Sequence, residues 1–159
     1  AVGQHGLMGK QNVYEHSVGV PLMIKAAAQH TGKKTADLCY LIDVFPTLCD
    51  MLQLPVPQSV DGISLLSSLD GKEPVRDYLY YSYMDNQRGI SDGTWKLIEY
   101  HVNGKRTTQL FNLKNDPWER NDLSGQKKYE KTIQRLREKM AEEQKRTNDT
   151  SVFWNNFSY

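Results

Sequence analysis

The chain has 159 residues, of which 38% are apolar and 10% aromatic, enough for one folded domain with one core. Its 20 Lys and Arg are interspersed with 19 Asp and Glu for a net charge of +1, which argues against a clustered basic nucleic-acid face and against an electrostatic membrane anchor. No apolar run approaches the roughly 20 residues of a membrane-spanning helix.

Residues 1–19 are rich in Gly and polar side chains and read as a loop with a short helical piece. Gly3-Gln4-His5-Gly6-Leu7-Met8-Gly9-Lys10 places three glycines, a histidine and a lysine in eight residues. Glycine lets backbone approach a ligand closely, an ammonium suits a tetrahedral oxyanion, and imidazole passes protons near neutral pH. The element therefore reads as an anion-handling loop, with a plain surface loop as the alternative. Val20–Ile24 is a short apolar run, the pattern of a strand buried in a larger sheet.

From Asp37 to Leu54, apolar residues recur every three or four positions, which predicts a helix, kinked or restarted at Pro46 with Asp43 as its cap. Cys39 and Cys49 both fall in that segment. About 15 Å of helix separates them, beyond disulfide reach, so both are expected as free thiols. Asp61-Gly62 predicts a turn and Ser64–Leu69 a short helix that ends at Asp70-Gly71. Strands follow at Tyr78–Tyr81, Trp95–Tyr100 and Thr107–Leu113, the last two joined by an Asn103-Gly104 hairpin. Asp85, Asn86 and Arg88 read as a polar loop between strands. Residues 127–146 form an amphipathic helix with Tyr129, Ile133, Leu136 and Met140 as its narrow apolar stripe. The tail from Trp154 to Tyr159 is aromatic, and Asn148-Asp149-Thr150 and Asn156-Phe157-Ser158 match the glycosylation acceptor pattern. The order predicts α+β organisation.

Four blocks, in order, resemble the sulfatase family. Gly9-Lys10 followed by Val13-Tyr14-Glu15-His16 and Val20-Pro21-Leu22 is similar to the stretch that carries an active-site lysine into a core strand. Asp43-Val44-Phe45-Pro46-Thr47-Leu48 resembles "D-x-x-P-T-L", and Asp61-Gly62-Ile63-Ser64-Leu65 resembles "D-G-x-S-L". Leu110–Pro117, with Glu119, Asn121, Asp122 and Leu123, is similar to "L-Y-D-L-x-x-D-P-x-E-x-x-N-L". Gly19 departs from the pattern, since many members have Arg there.

The resemblance implies an α/β, alkaline-phosphatase-like fold for the intact protein. It divides this chain into residues 1–72, the end of the catalytic domain, and residues 73–159, a C-terminal subdomain with an antiparallel sheet and a packing helix. It implies hydrolysis of sulfate esters, on sulfated glycans by preference. Lys10 would bind sulfate, and His5 would contact substrate or relay a proton, with a loop-stabilising hydrogen bond as the alternative for His5. Tyr14 and Glu15 read as structural, Glu15 anchoring the loop through backbone N–H groups, and His16 has no assigned role. The loop at 85–88 is a candidate sugar contact or a plain turn.

The family's nucleophile lies in "C/S-x-P-x-R", oxidised to formylglycine, and no Cys or Ser here fits that motif. The family's calcium ligands fall upstream of the first block. The expectation is therefore a catalytically incomplete C-terminal portion, with no metal of its own and its N-terminal part supplied from upstream. Such a portion is expected to self-associate through exposed core surface. The intact enzyme would be periplasmic, secreted or lysosomal, with no nucleic-acid or membrane partner. A phosphonate or phosphodiester hydrolase of the same superfamily, and a non-catalytic C-terminal interaction module, are the competing readings.

Overall fold

The computed structural model describes residues 1–25, 32 and 34–151. The aromatic tail and the second glycosylation pattern lie outside the described residues. Two compact units form, one from Ala1–Val20 with Tyr80 onward and the other from Pro21–Leu79.

The first unit is built on an antiparallel sheet in the order β1-β2-β3-β4. Its strands are β1 (Leu79–Tyr83), β2 (Gln87–Ser91), β3 (Trp95–Val102) and β4 (Lys105–Asn112). Asn103 and Gly104 turn β3 into β4 with φ of 51° and 72°. Val102 pairs with Lys105, as expected of a two-residue turn with positive φ at both centres. The polar-loop reading of Arg88 is corrected: it lies in β2 opposite Glu99 and is only 2% exposed.

Lys96, Leu97, Ile98 and Glu99 are consecutive and all wholly buried, so both faces of β3 are covered. One face meets α4 (Glu130–Arg146), which buries Ile133, Leu136 and Met140 as the apolar stripe predicts. On that face Arg137 Nε donates to Glu99 Oε1 at 2.7 Å. Arg88 reaches past the end of α4 to Asp149, with Nε–Oδ2 2.7 Å. The opposite face carries Ile98 and Phe111, which pack with Val13 and Tyr14 from the N-terminal segment. Gly89 lies on that face too, where a Cβ would stand 3.5 Å from Val13 Cγ2.

In the second unit the long predicted helix is shorter than the periodicity implied. A 3-10 turn spans Leu41–Asp43, and α2 spans Val44–Met51. Cys39 therefore lies outside the helix, and both cysteines are free thiols. Pro46 is the third residue of α2. Its missing N–H falls among the first-turn donors that have no helical acceptor, so no kink is needed.

Asp43 caps the 3-10 turn, not a restart at Pro46: its Oδ2 accepts from Tyr40 N at 2.8 Å. Its Oδ1 accepts from Ile63 N at 2.8 Å and from Arg76 Nη2 at 2.6 Å. Thr47 Oγ1 in turn accepts from Leu65 N at 2.8 Å, which ties α2 to the segment leading into α3 (Leu66–Leu69). The turn expected at Asp61-Gly62 falls earlier, at 58–59, where Val60 N donates to Pro57 O. Gly62 serves a close approach instead, since a Cβ there would collide with the Ile42 carbonyl.

Val20–Ile24 forms no strand. An isolated strand cannot satisfy its own backbone, and this run has no neighbour to pair with among the described residues. It leaves Val20 54% and Met23 93% exposed. In α2 and its approach, Leu41, Phe45, Leu48 and Leu52 lie on one helical face, and all are exposed.

Candidate functional site

Lys10 and His5 both belong to a small closed loop. Val2 and Met8 form an antiparallel bridge, and Gly9 N donates to Ala1 O at 2.9 Å. Gly3, Gly6 and Gly9 all take positive φ inside it, the reason glycines recur here. His5 itself has φ 53°, at the tip of a 3-10 turn over Gln4–Gly6. Lys10 follows directly, exposed, with no hydrogen bond or ion pair among the described residues.

His5 is fixed by its ring. It stacks on Tyr14 with centroids 4.0 Å apart and planes 3° from parallel, and lies 5.5 Å from the His16 ring. Its Nε2 is 3.2 Å from the Trp118 carbonyl. A carbonyl can only accept, so this nitrogen carries the proton and Nδ1 is the acceptor in the neutral ring. Tyr14 is buried and donates its hydroxyl to Gln109 Oε1 at 2.7 Å, consistent with a structural role. His16 opens α1 (Glu15–Val18) with Glu15. Burial, reinforced by the positive charges around it, lowers its pKa, so it is neutral at neutral pH.

Gln4, His5, His16, Trp118 and Arg120 line an open cavity of about 560 Å³. Beneath it lies a buried ion cluster absent from the sequence reading. Lys96 Nζ, wholly buried, donates to Glu15 Oε1 at 2.8 Å and stands 3.1 Å from Glu119 Oε1. The contact to Glu119 lacks directed hydrogen-bond geometry and acts as a charge contact. Glu119 Oε2 accepts from Glu15 N at 2.6 Å.

The anchoring of Glu15 is thus corrected: its side chain meets an ammonium, not backbone N–H groups. Burial pushes the Glu119 carboxyl up, and the neighbouring Lys96 only partly offsets this. A side chain at position 19 has no room beside this anchor, because a Cβ on Gly19 would lie 2.8 Å from Glu15 O.

A larger cavity of about 700 Å³ lies against α4, lined by residues such as Thr108, Ile133 and Arg137, and contains neither Lys10 nor His5. Among the described residues no group of three or more His, Cys, Asp or Glu is arranged to hold a metal ion. No described helix is long and apolar enough to cross a membrane.

The sheet packed on a long helix, preceded by a glycine loop and a lysine, has counterparts among known proteins. The chain belongs to the family of the C-terminal domain of N-sulphoglucosamine sulphohydrolase, whose family model matches residues 3–146. It is 29% identical to an N-acetylglucosamine-6-O-sulfatase of Bacteroides thetaiotaomicron over 93% of this chain and 29% of that protein. It is 26% identical to human arylsulfatase K over 72% of this chain and 24% of that protein.

One solved structure resembling it is a protein in complex with its substrate D-glucosamine-2-N,6-O-disulfate. The TM-score is 0.61 and the identity 28%, over 70% of this chain and 25% of that one. The phosphonate monoester hydrolase of Silicibacter pomeroyi superposes with a TM-score of 0.72 over 91% of this chain and 32% of that one. At 22% identity that is a likeness of fold alone. The chain spans about a quarter to a third of the length of the curated relatives it matches.

Proposed function

We propose that this chain is the C-terminal part of a sulfatase that hydrolyses sulfate esters of sulfated glycans. In the intact protein, residues 1–72 complete the catalytic domain and residues 73–159 form the C-terminal subdomain. The observation that carries the reading is Lys10, an exposed ammonium without an ion-pair partner among the described residues, beside a glycine loop in a chain of the sulphohydrolase family. An unpaired ammonium on a backbone-tight loop suits one oxygen of a sulfate group, and its charge lowers the cost of the leaving oxygen's departure.

His5, with its tautomer set by the Trp118 carbonyl, contacts substrate or relays a proton. Calcium would come with ligands from residues other than these, as would the formylglycine nucleophile. The sulfated sugars named for the relatives support a sulfated saccharide as substrate. The same relationship supports a secreted, periplasmic or lysosomal setting for the intact enzyme. The test is steady-state kinetics of the intact enzyme and its Lys10→Ala variant on an aryl sulfate and on a phosphonate monoester. Sulfate turnover that collapses in the variant supports the reading, and phosphonate turnover in preference supports the competing one.

A further inference from the structure

Residues 15 and 119, distant in sequence, meet at one buried cation. Glu15 and Glu119 turn inward onto buried Lys96, and Glu15 N closes the pair through Glu119 Oε2. Their neighbours turn the other way. His16 on one side and Trp118 and Arg120 on the other line the cavity of about 560 Å³, with Gln4 and His5 completing it. His5 Nε2 on the Trp118 carbonyl is a third strut. The walls are thus fixed from below before any ligand arrives, which is what a binding site requires of its supporting groups.

We propose that this cavity is a binding subsite for an anionic pyranose unit. Trp118 is 66% exposed, an indole held out to solvent and fit to lie against the apolar face of a sugar ring. Arg120 is exposed two residues on, and its planar fork matches a sulfate or carboxylate group. His16, its pKa lowered by burial and by the positive charges around it, adds no second charge to the wall at neutral pH. Mixed polar and aromatic lining in an open cleft fits a saccharide better than an apolar ligand. The choice of a sugar rests on the proposed function, whereas the anion rests on Arg120 itself.

The experiment is a titration of the chain followed by the indole N–H resonance of Trp118. The probes are glucosamine 6-sulfate, glucosamine and inorganic sulfate. The sulfated sugar should saturate and bind at least about fivefold tighter than either partial probe, because both halves of the site are engaged. Arg120→Gln should weaken the sulfated sugar by about tenfold, the range for one charge-assisted contact, and leave glucosamine unchanged. Trp118→Ala, which removes the reporter and is therefore titrated by calorimetry beside the wild type, should weaken both sugars, and its main-chain carbonyl still holds His5.

Equal binding of inorganic sulfate and the sulfated sugar would reduce the cavity to an anion site and overturn the proposal. Affinities untouched by both variants would overturn it too, as would the absence of any shift at about 10 mM sugar. Failure of the underlying functional reading looks different: Lys10→Ala would then leave the intact enzyme's kcat/KM unchanged, whatever the titration shows.

Discussion

Lys96 Nζ lies 2.8 Å from Glu15 Oε1, with the lysine side chain wholly buried and the two residues 81 positions apart in sequence. A buried ammonium persists only where carboxylates compensate it, and here Glu119 supplies a second. The pair joins the N-terminal segment to β3, so the position of the Lys10 loop depends on it.

Lys96→Met should destabilise the chain by about 3–5 kcal/mol, because two carboxylates are left without their cation. The pH dependence has a definite sign. Glu119 has a folded-state pKa raised above its ordinary 4.5, so its contribution to stability is fully present below that value and is lost as pH rises through the folded value. Removing Lys96 raises it further. The gap between variant and wild type should therefore be wider near pH 8 than near pH 5, which urea denaturation at about those two pH values measures. An equal gap at both would mean that the ammonium acts through packing alone.

Asp43 behaves in the opposite sense. Burial alone would raise its carboxyl, but hydrogen bonds from Arg76, Ile63 N and Tyr40 N outweigh it and hold it below 3.8. Its stabilisation is present above that value and is lost as pH falls through the lower folded value. Asp43→Asn should cost the second unit about 3–5 kcal/mol at neutral pH, since Arg76 keeps its charge with only 7% of its side chain exposed. The same variant should erase most of the unit's acid sensitivity below about pH 4, measurable by circular dichroism.

The Asn103-Gly104 turn offers a purely local test. Nothing lies within 4 Å of a Cβ built on Gly104, so Gly104→Ala meets only the strain of φ 72°. A loss of about 1 kcal/mol is expected, read from the denaturation midpoint. A neutral result would show that the hairpin tolerates another turn type.

This hairpin was legible in sequence because a two-residue turn encodes its own geometry. The stripe on α4 was legible for the same local reason. β2 was not. Arg88 reads as a loop residue, and its burial rests on the Met84 and Gln87 carbonyls and on Asp149, 61 positions on. The partners that let Lys96 and Glu99 be buried are likewise distant, Glu15 81 positions away and Arg137 38. Val20–Ile24 failed in the other direction: its apolar residues carry strand propensity, but a strand exists only with a neighbour. At the site, the family blocks pointed to Lys10 and His5. Trp118 and Arg120 flank a block residue, Glu119, and alternation about it was the one signal that could have singled them out.

The exposed face of Leu41, Phe45, Leu48 and Leu52 is expected to drive association. Light scattering of the chain should show mass rising with concentration, and Phe45→Ser with Leu48→Ser should suppress the rise. Both side chains are about half exposed, so the double variant should still fold. A monodisperse monomer at every concentration would count against the idea.

Turnover assigns the roles that binding cannot. The chain alone should not hydrolyse an aryl sulfate with calcium present, because it contains no "C/S-x-P-x-R" motif. In the intact enzyme, Lys10→Ala should depress kcat and kcat/KM together by about 10²–10³-fold, the pattern for an interaction made in the transition state. Stability should hardly move, because Lys10 is exposed and has no ion pair among the described residues, and such surface changes usually stay within about 0.5 kcal/mol. Lys10→Arg should rescue poorly, since a planar fork does not replace a compact ammonium against one oxygen. Steady-state kinetics on the three proteins, with melting temperatures alongside, separate this from a solvated surface lysine. If the Ala variant keeps more than about a third of wild-type kcat/KM, the loss is under about 1 kcal/mol of transition-state stabilisation. Lys10 would then have no part in the chemical step, and family membership would stand without a catalytic residue assigned to this chain.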